Sequence, residues 1–309
     1  MTSRSLSATS VGAPVAFEAL VQEIRPELHR YCARMIGSVV DAEDVVQEAL
    51  AKAYAALPAT SVANMRGWLF RIAHNKAIDY LRRASQQHLD YLDEHALLAE
   101  PDPPLAEPEL VAVALSVFLK LAPKQRSCVI LKDVMGYSLA DISELLDATV
   151  PEIKAALHRG RARLRELATD VAGRGLAPRD EQERELLARY IDRFNARDFD
   201  AVRAMLAHEV RLELINRTTR RGRADVSEYF HRYDDVADWR LALGAVENRP
   251  AILVYDPRQP SSEPAYFMLL RWENAQVSFI RDYRYAPYVM RDIEWEEPER
   301  SPDESRDDS

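Results

Sequence analysis

The stretch from Ser138 to Leu167, SLADISELLDATVPEIKAALHRGRARLREL, decides how the chain is read. Leu139, Ile142, Leu145 and Leu146 recur at the spacing of one helical face. After a break at Asp147 to Thr149, Val150, Ile153, Leu157, Leu164 and Leu167 resume it. Ser138 stands three residues before Asp141 and Thr149 three before Glu152, so each hydroxyl can satisfy an orphan amide of the helix it opens; Pro151 is tolerated in a first turn. Two capped helices joined by a short turn make a helix-turn-helix. Off the apolar stripe of the second helix lie Lys154, Ala155, His158, Arg159, Arg161, Arg163 and Arg165. The first four, near the helix start, are placed to reach base edges in a major groove, and the later arginines suit phosphates. A basic helix face is also the ordinary composition of a solvated surface, but the paired caps favour DNA.

Two breaks flank this element. Before it runs QQHLDYLDEHALLAEPDPPLAEPEL, where Pro101, Pro103, Pro104 and Pro108 forbid a continuous helix; after it runs AGRGLAPRD, from Ala172 to Asp180, rich in helix stop signals. Three ordered blocks result, at about Ala16 to Arg83, Val111 to Leu167 and Glu181 to Arg291. The first is helical throughout. Phe17, Leu20, Val21, Ile24, Leu28, Cys32 and Met35 form one stripe, with a kink expected at Pro26. Val46, Leu50, Ala53 and Leu57 form a second after a turn at Gly37, and Leu69, Ile72, Ala73, Ala77, Tyr80 and Leu81 a third. The third block opens with a helix from about Glu181 to Leu206 and then turns to strand patterns: VRLELI, WRLALGAVE, AILVYD, YFMLLRW and QVSFIRDYRY. That sequence of elements predicts an α+β domain with one curved sheet.

With 309 residues the chain has room for two or three domains, and at 47% hydrophobic and 29% charged residues its composition is that of a soluble protein. No apolar run approaches the roughly 18 residues of a membrane span, and the first residues lack the apolar core of a secretory signal, so a cytoplasmic protein is expected. The two cysteines, Cys32 and Cys128, fit free buried thiols, and the seven histidines show no metal-ligand spacing; no metal and no cofactor are expected. A net charge of -9 opposes a nucleic-acid partner on average, but a polyanion responds to the local field of a patch. The acids concentrate in Asp90 to Glu109, which holds no Lys or Arg, and in Asp292 to Ser309.

The first two blocks together resemble bacterial sigma factors of the extracytoplasmic-function (ECF) group. The residues that carry this are DAEDVVQEALAKAYAAL at Asp41 to Leu57 and MRGWLFRIAHNKAIDYLRR at Met65 to Arg83 for region 2, and LAPKQRSCVILKDVMGYSLADISELLDATVPEIKAALHRGRARLREL at Leu121 to Leu167 for region 4. Asp41, Asp44 and Glu48, with Gln47 beside them, line one helix face; on spacing alone this is a solvated face whose acids suit a helix N-terminus. The resemblance implies that it docks on the clamp helices of the largest polymerase subunit. It likewise implies that Asn75, Lys76, Asp79, Arg82 and Arg83 meet the promoter -10 element and that the basic helix from Lys154 meets the -35 element. Trp68, Phe70 and Tyr80 have the chemistry to stack on melted bases, but packing in a core is the commoner fate of such aromatics.

Beyond region 4 the stretch ELLARYIDRFNARDFDAVRAMLAHEVRLEL, followed by the strands, resembles the SnoaL-like division of the NTF2-like fold; where sigma factors carry such a domain, the resemblance implies a built-in regulator packing on regions 2 and 4 or on their linker. Relatives of that fold use a carboxylate in the cone as a general base. Asp282, His208 and Asp256 are the candidates, but Arg281 and Arg284 flank Asp282 as around an ordinary ion pair or a solvent-facing carboxylate, so no catalytic residue is assigned and no enzyme is expected. The expected organisation is region 2 at 16–84, an acidic proline-rich linker at 85–110, region 4 at 111–168, the SnoaL-like domain at 181–291 and a disordered acidic tail at 292–309. Two other readings stay open: a regulator that binds DNA without polymerase and senses a ligand through the third block, and a cyclase or isomerase fused to a DNA-binding module. Target promoters, inducing signal, ligand and oligomeric state are not encoded legibly.

Overall fold

The computed structural model describes residues 12–59, 64–87, 115–168, 181–234, 239–247, 249–256, 258, 263–291 and 293–297. The chain divides into two compact units, Met1–Gly173 and Arg174–Ser309.

The first unit is all helical. Helix α1 (Gly12–Ile36) runs unbroken past Pro26 and stops at Gly37, whose left-handed backbone (φ 77°) suits a residue without a Cβ. A Cβ there would also meet Leu119 Cδ1 at 2.5 Å. Helix α2 (Val39–Ala56) is capped by Ser38, which accepts from the Asp41 amide, and α3 spans Met65–Gln87. The three pack around Ile24, Leu28, Met35, Val46, Ala53, Leu69 and Ala73, all buried. Among these apolar groups lies a buried ion pair that periodicity does not reveal: Arg25 donates to Glu43, whose side chain is fully enclosed.

Helices α4 (Leu115–Phe118) and α5 (Pro123–Val129) lead through a π-helical turn at Ile130–Val134 to α6 (Leu139–Leu146) and α7 (Val150–Ala168). The helix-turn-helix forms as the caps predict. Ser138 and Asp141 close a full capping box, and Asp147 ends α6 in the left-handed region at φ 51°. Thr149 and Glu152 repeat the box at the start of α7: the Thr149 amide donates to Glu152 at 2.8 Å, and the Glu152 amide donates to the Thr149 hydroxyl at 3.4 Å. Gly160 lets α7 approach α5, since a Cβ there would meet Val129 Cγ2 at 2.7 Å. The linker expected at 85–110 starts later, since α3 continues to Gln87, and its residues 88–110 lie outside the described residues.

The second unit is an α+β domain with one sheet, as expected. Helices α8 (Glu181–Asn195) and α9 (Phe199–Ala204) precede β1 (Leu206–Leu214) and β2 (Thr218–Arg221), then α10 (Arg223–Asp234). Strands β3 (Arg240–Val246), β4 (Arg249–Tyr255), β5 (Tyr266–Glu273), β6 (Gln276–Asp282) and β7 (Trp295–Glu296) complete one sheet in the order β2-β1-β6-β5-β4-β3-β7. Among the described residues only β1 and β6 pair in parallel. Helix α8 packs on β3 and β4, where Asn195 bonds both backbone groups of Leu241, and α10 packs on β1. The expectation of disorder from residue 292 needs correction at its start. Ile293 is buried, and Trp295 and Glu296 pair with Val246 and Ala245, satisfying the edge of β3. Residues 298–309 lie outside the described residues.

Candidate nucleic-acid interface

On α7 the apolar residues Ile153, Ala156, Leu157, Leu164 and Leu167 are buried, which leaves Lys154 and Arg163 exposed and Ala155, His158, Arg159 and Arg165 partly exposed. Arg163 is braced by Glu166 at 2.8 Å. Arg161 departs from the expected set. Its guanidinium turns inward and forks onto Asp133 of the π-helical turn, with Nε 2.9 Å from Oδ2 and a terminal nitrogen 2.6 Å from Oδ1. A planar donor fork matched to a carboxylate in this way is committed to holding α7 against the preceding turn, and Arg161 is corrected from a DNA contact to a packing residue.

The caps carry charge as well as geometry. Hydrogen bonds from the Ser138 hydroxyl and amide hold the Asp141 carboxyl below its ordinary range, and those from the Thr149 amide and hydroxyl do the same for Glu152. Lys124 of α5 approaches Glu152 at 3.3 Å, so α5 braces the start of α7.

The two candidate sets in the first block meet. On α2, Asp44 and Glu48 are exposed, with Asp41 and Gln47 partly so; on α3, Asn75, Asp79, Arg82 and Arg83 are exposed and Lys76 is half-buried. Lys76 donates to Glu48 at 3.0 Å, Arg83 lies 4.0 Å from the same carboxylate, and the Tyr80 hydroxyl donates to Asp41 at 3.2 Å. The acidic face of α2 and the polar-basic face of α3 thus form one continuous surface. Phe70 is buried against Tyr31 and Tyr137, as core packing predicts. Sequence reasoning missed Asn64, whose carboxamide oxygen accepts from the Gly67 amide at 2.9 Å and starts α3; an asparagine three residues before a helical amide was the available signal. It also missed Arg71, which donates to the Glu144 carbonyl of α6 at 2.6 Å, and Arg66, bound to Glu23 and Glu27 of α1.

In the second unit the three carboxylate and imidazole candidates stand in separate settings. His208 is exposed beside Glu209 at 3.2 Å. Asp256 is held by the Arg258 fork at 3.0 and 3.1 Å, which keeps its carboxyl low. Asp282 is fully buried, which corrects the expectation of a solvent-facing carboxylate, and Arg281 turns to the other face of the strand and bonds Glu213 at 3.1 Å. Asp282 instead accepts from the Tyr229 hydroxyl at 2.5 Å and the Arg284 amide at 2.8 Å. Burial pushes its carboxyl up to about 6 despite these bonds. Among the described residues no cluster of three metal-ligating side chains occurs, both cysteines are buried and free, and no helix is long and apolar enough to cross a membrane.

Comparison with known proteins gives two family matches, Sigma-70 region 2 over residues 20–87 and Sigma-70, region 4 over residues 114–164. The ECF RNA polymerase sigma factor SigW of Bacillus subtilis is 31% identical over 186 residues, which cover 55% of this chain and 98% of SigW. The ECF RNA polymerase sigma factor SigG of Mycobacterium tuberculosis is 28% identical over 228 residues, 64% of this chain; the match spans 61% of SigG's own length. Among solved structures, the extracytoplasmic function sigma factor SigJ of Mycobacterium tuberculosis aligns with 86% of this chain and 95% of its own, at 19% identity and a TM-score of 0.34.

Proposed function

Because the chain belongs to the ECF RNA polymerase sigma factors, we propose that it directs promoter-specific initiation by core RNA polymerase, with its second unit tuning that activity. The observation that carries this is the doubly capped helix-turn-helix with Lys154, His158, Arg159, Arg163 and Arg165 off its buried stripe. Lys154, Ala155, His158 and Arg159 read the -35 element from the major groove, and Arg163 and Arg165 hold its phosphates. Asp41, Asp44, Gln47 and Glu48 dock on the clamp helices of the largest polymerase subunit, and Asn75, Lys76, Asp79, Arg82 and Arg83 meet the -10 element. The shared surface of α2 and α3 supports one division of labour: Glu48 holds Lys76 and orients it, so that docking on polymerase and reading of the -10 element are coupled through one ion pair.

The second unit acts as a regulator of regions 2 and 4, without chemistry of its own. Asp282 is enclosed and already satisfied by Tyr229, which suits a core polar group better than a general base. The test is run-off transcription with core polymerase, using the full chain and a chain ending at Gly173. Promoter-dependent transcripts are expected from at least one of the two; silence from both on every template selected by footprinting overturns the proposal.

A further inference from the structure

On the face of the sheet turned away from Asp282, one row of side chains crosses four neighbouring strands in register. Arg221 of β2 lies opposite Arg211 of β1, Arg211 opposite Phe279 of β6, and Phe279 opposite Arg271 of β5. The three arginines are exposed and Phe279 is half-buried. The guanidinium carbons of Arg211 and Arg271 lie 5.8 and 5.3 Å from the centre of the Phe279 ring. Arg281, in the next row, is matched by Glu213, but among the described residues no carboxylate forms an ion pair with Arg211, Arg221 or Arg271. Glu209 and Glu273 lie further along β1 and β5. Like charges directly opposite each other weaken a sheet. A surface kept only for folding would not place Arg211 against Arg221 with a third arginine two strands away; the row suits an anionic occupant.

The chain supplies such an occupant close by. Residues 298–309, PERSPDESRDDS, carry Glu299, Asp303, Glu304, Asp307 and Asp308 against Arg300 and Arg306. Their root is fixed on the same face: Tyr255 donates to Glu297, and Arg240 approaches that carboxylate at 3.6 Å while covering the Tyr255 ring at 4.0 Å. Strand alternation carries this face from Arg281 to its partner Leu269, two residues on to Phe267, across to Leu253 and two residues on to Tyr255. Strands about 4.8 Å apart put β2 roughly 24 Å from β3. Twelve residues at about 3.4 Å each reach about 40 Å.

We propose that the acidic segment 298–309 docks across the Arg221, Arg211, Phe279 and Arg271 row of its own unit. Tethering raises its effective concentration, on the order of millimolar for a short flexible linker, so individually weak pairs suffice, and any external polyanion has to displace it. The inference does not depend on the DNA contacts assigned to α7.

The test places nitroxide labels on the full chain at Ser305→Cys and Thr219→Cys, the latter in the row beside Arg221; Cys32 and Cys128 are buried and stay unlabelled. A narrow, short distance distribution is expected at low salt. It should broaden and lengthen when salt screens the contact, and equally in Arg211→Gln, Arg221→Gln and Arg271→Gln combined. The salt titration needs no arginine variant and keeps the test intact if that one folds poorly. In parallel, ending the chain at Glu297 should raise retention on heparin several-fold, and the three glutamines should remove the gain. A distribution indifferent to salt and to the arginines, or retention unchanged by truncation, overturns the proposal. So does a non-promoter oligonucleotide that binds the row equally with and without the segment, which would assign the row to nucleic acid.

Discussion

Arg159 and Arg161 stand two positions apart on α7 and have opposite roles, because about 100° of rotation per residue carries one off the apolar stripe and leaves the other on it. Arg161 lies four residues after Leu157 and three before Leu164, so its inward direction was legible in the spacing; the run of basic residues hid it by composition. Its partner Asp133 was not legible, since nothing local pairs positions 28 apart in the chain. Arg161→Ala would strand the Asp133 carboxylate, whose side chain is 2% exposed, and should cost about 3 kcal/mol in denaturant unfolding of the first unit. Arg159→Ala should leave that unfolding curve in place and lower affinity for a -35 duplex by roughly tenfold, the scale of one base contact. Equal effects of both on stability would refute the division. Asp282 gives a pH test with a definite sign. Its carboxyl ordinarily titrates at 3.8 and in the fold at about 6, so its stabilising share is complete below 3.8 and is lost as pH rises through 6. Asp282→Asn, whose Oδ1 can still accept from the Arg284 amide while its Nδ2 donates to the Tyr229 hydroxyl oxygen, should flatten the pH dependence of the second unit's melting between pH 4 and 7. A slope identical to that of the parent chain would show that Asp282 titrates normally.

The elements legible in the sequence are those whose ends are written locally. The capping pairs Ser138 with Asp141 and Thr149 with Glu152 fix both helices of the helix-turn-helix, and the five longer strands form at the five β-type runs, although β3 and β4 are buried on both faces and show no alternation. Strands β2 and β7 escaped notice because four and two residues are too few to display a period, and they exist through pairing with β1 and β3. The π-helical turn at Ile130–Val134 escaped for a related reason: Arg161, distant in sequence, holds its Asp133. Gly160 shows how packing overrides propensity. In an exposed helix Gly160→Ala would stabilise by about 1 kcal/mol. Here the added methyl meets Val129 Cγ2 at 2.7 Å, near the α5 backbone at Gln125 O 3.4 Å, and the short valine side chain has little freedom to move. Overpacking of this kind costs about 1 to 3 kcal/mol, so the variant should lower rather than raise the melting temperature of the first unit by calorimetry. An increase would mean that α5 and α7 separate easily.

For the whole molecule, the net charge of -9 and the proposed work on DNA pull in opposite directions, and salt dependence distinguishes the average from the local field. If the chain average governed, DNA would be repelled and added salt would strengthen binding by screening that repulsion. If the outward arginines govern, each phosphate they neutralise releases condensed counterions, and the logarithm of affinity falls by about 0.9 per contact for each decade of salt. Arg82, Arg83, Arg163 and Arg165 are all at least partly exposed on the helices that carry the candidate interface. Four such contacts predict a slope of about -3.6, so a fourfold rise in salt should weaken promoter binding by the polymerase complex about a hundredfold, beyond any change seen with polymerase alone. Arg163→Ala should lessen that slope by about 1 while leaving the order of preferred promoters unchanged. An affinity that rises with salt, or a slope unmoved by removing Arg163, would place the source of DNA binding outside α3 and α7.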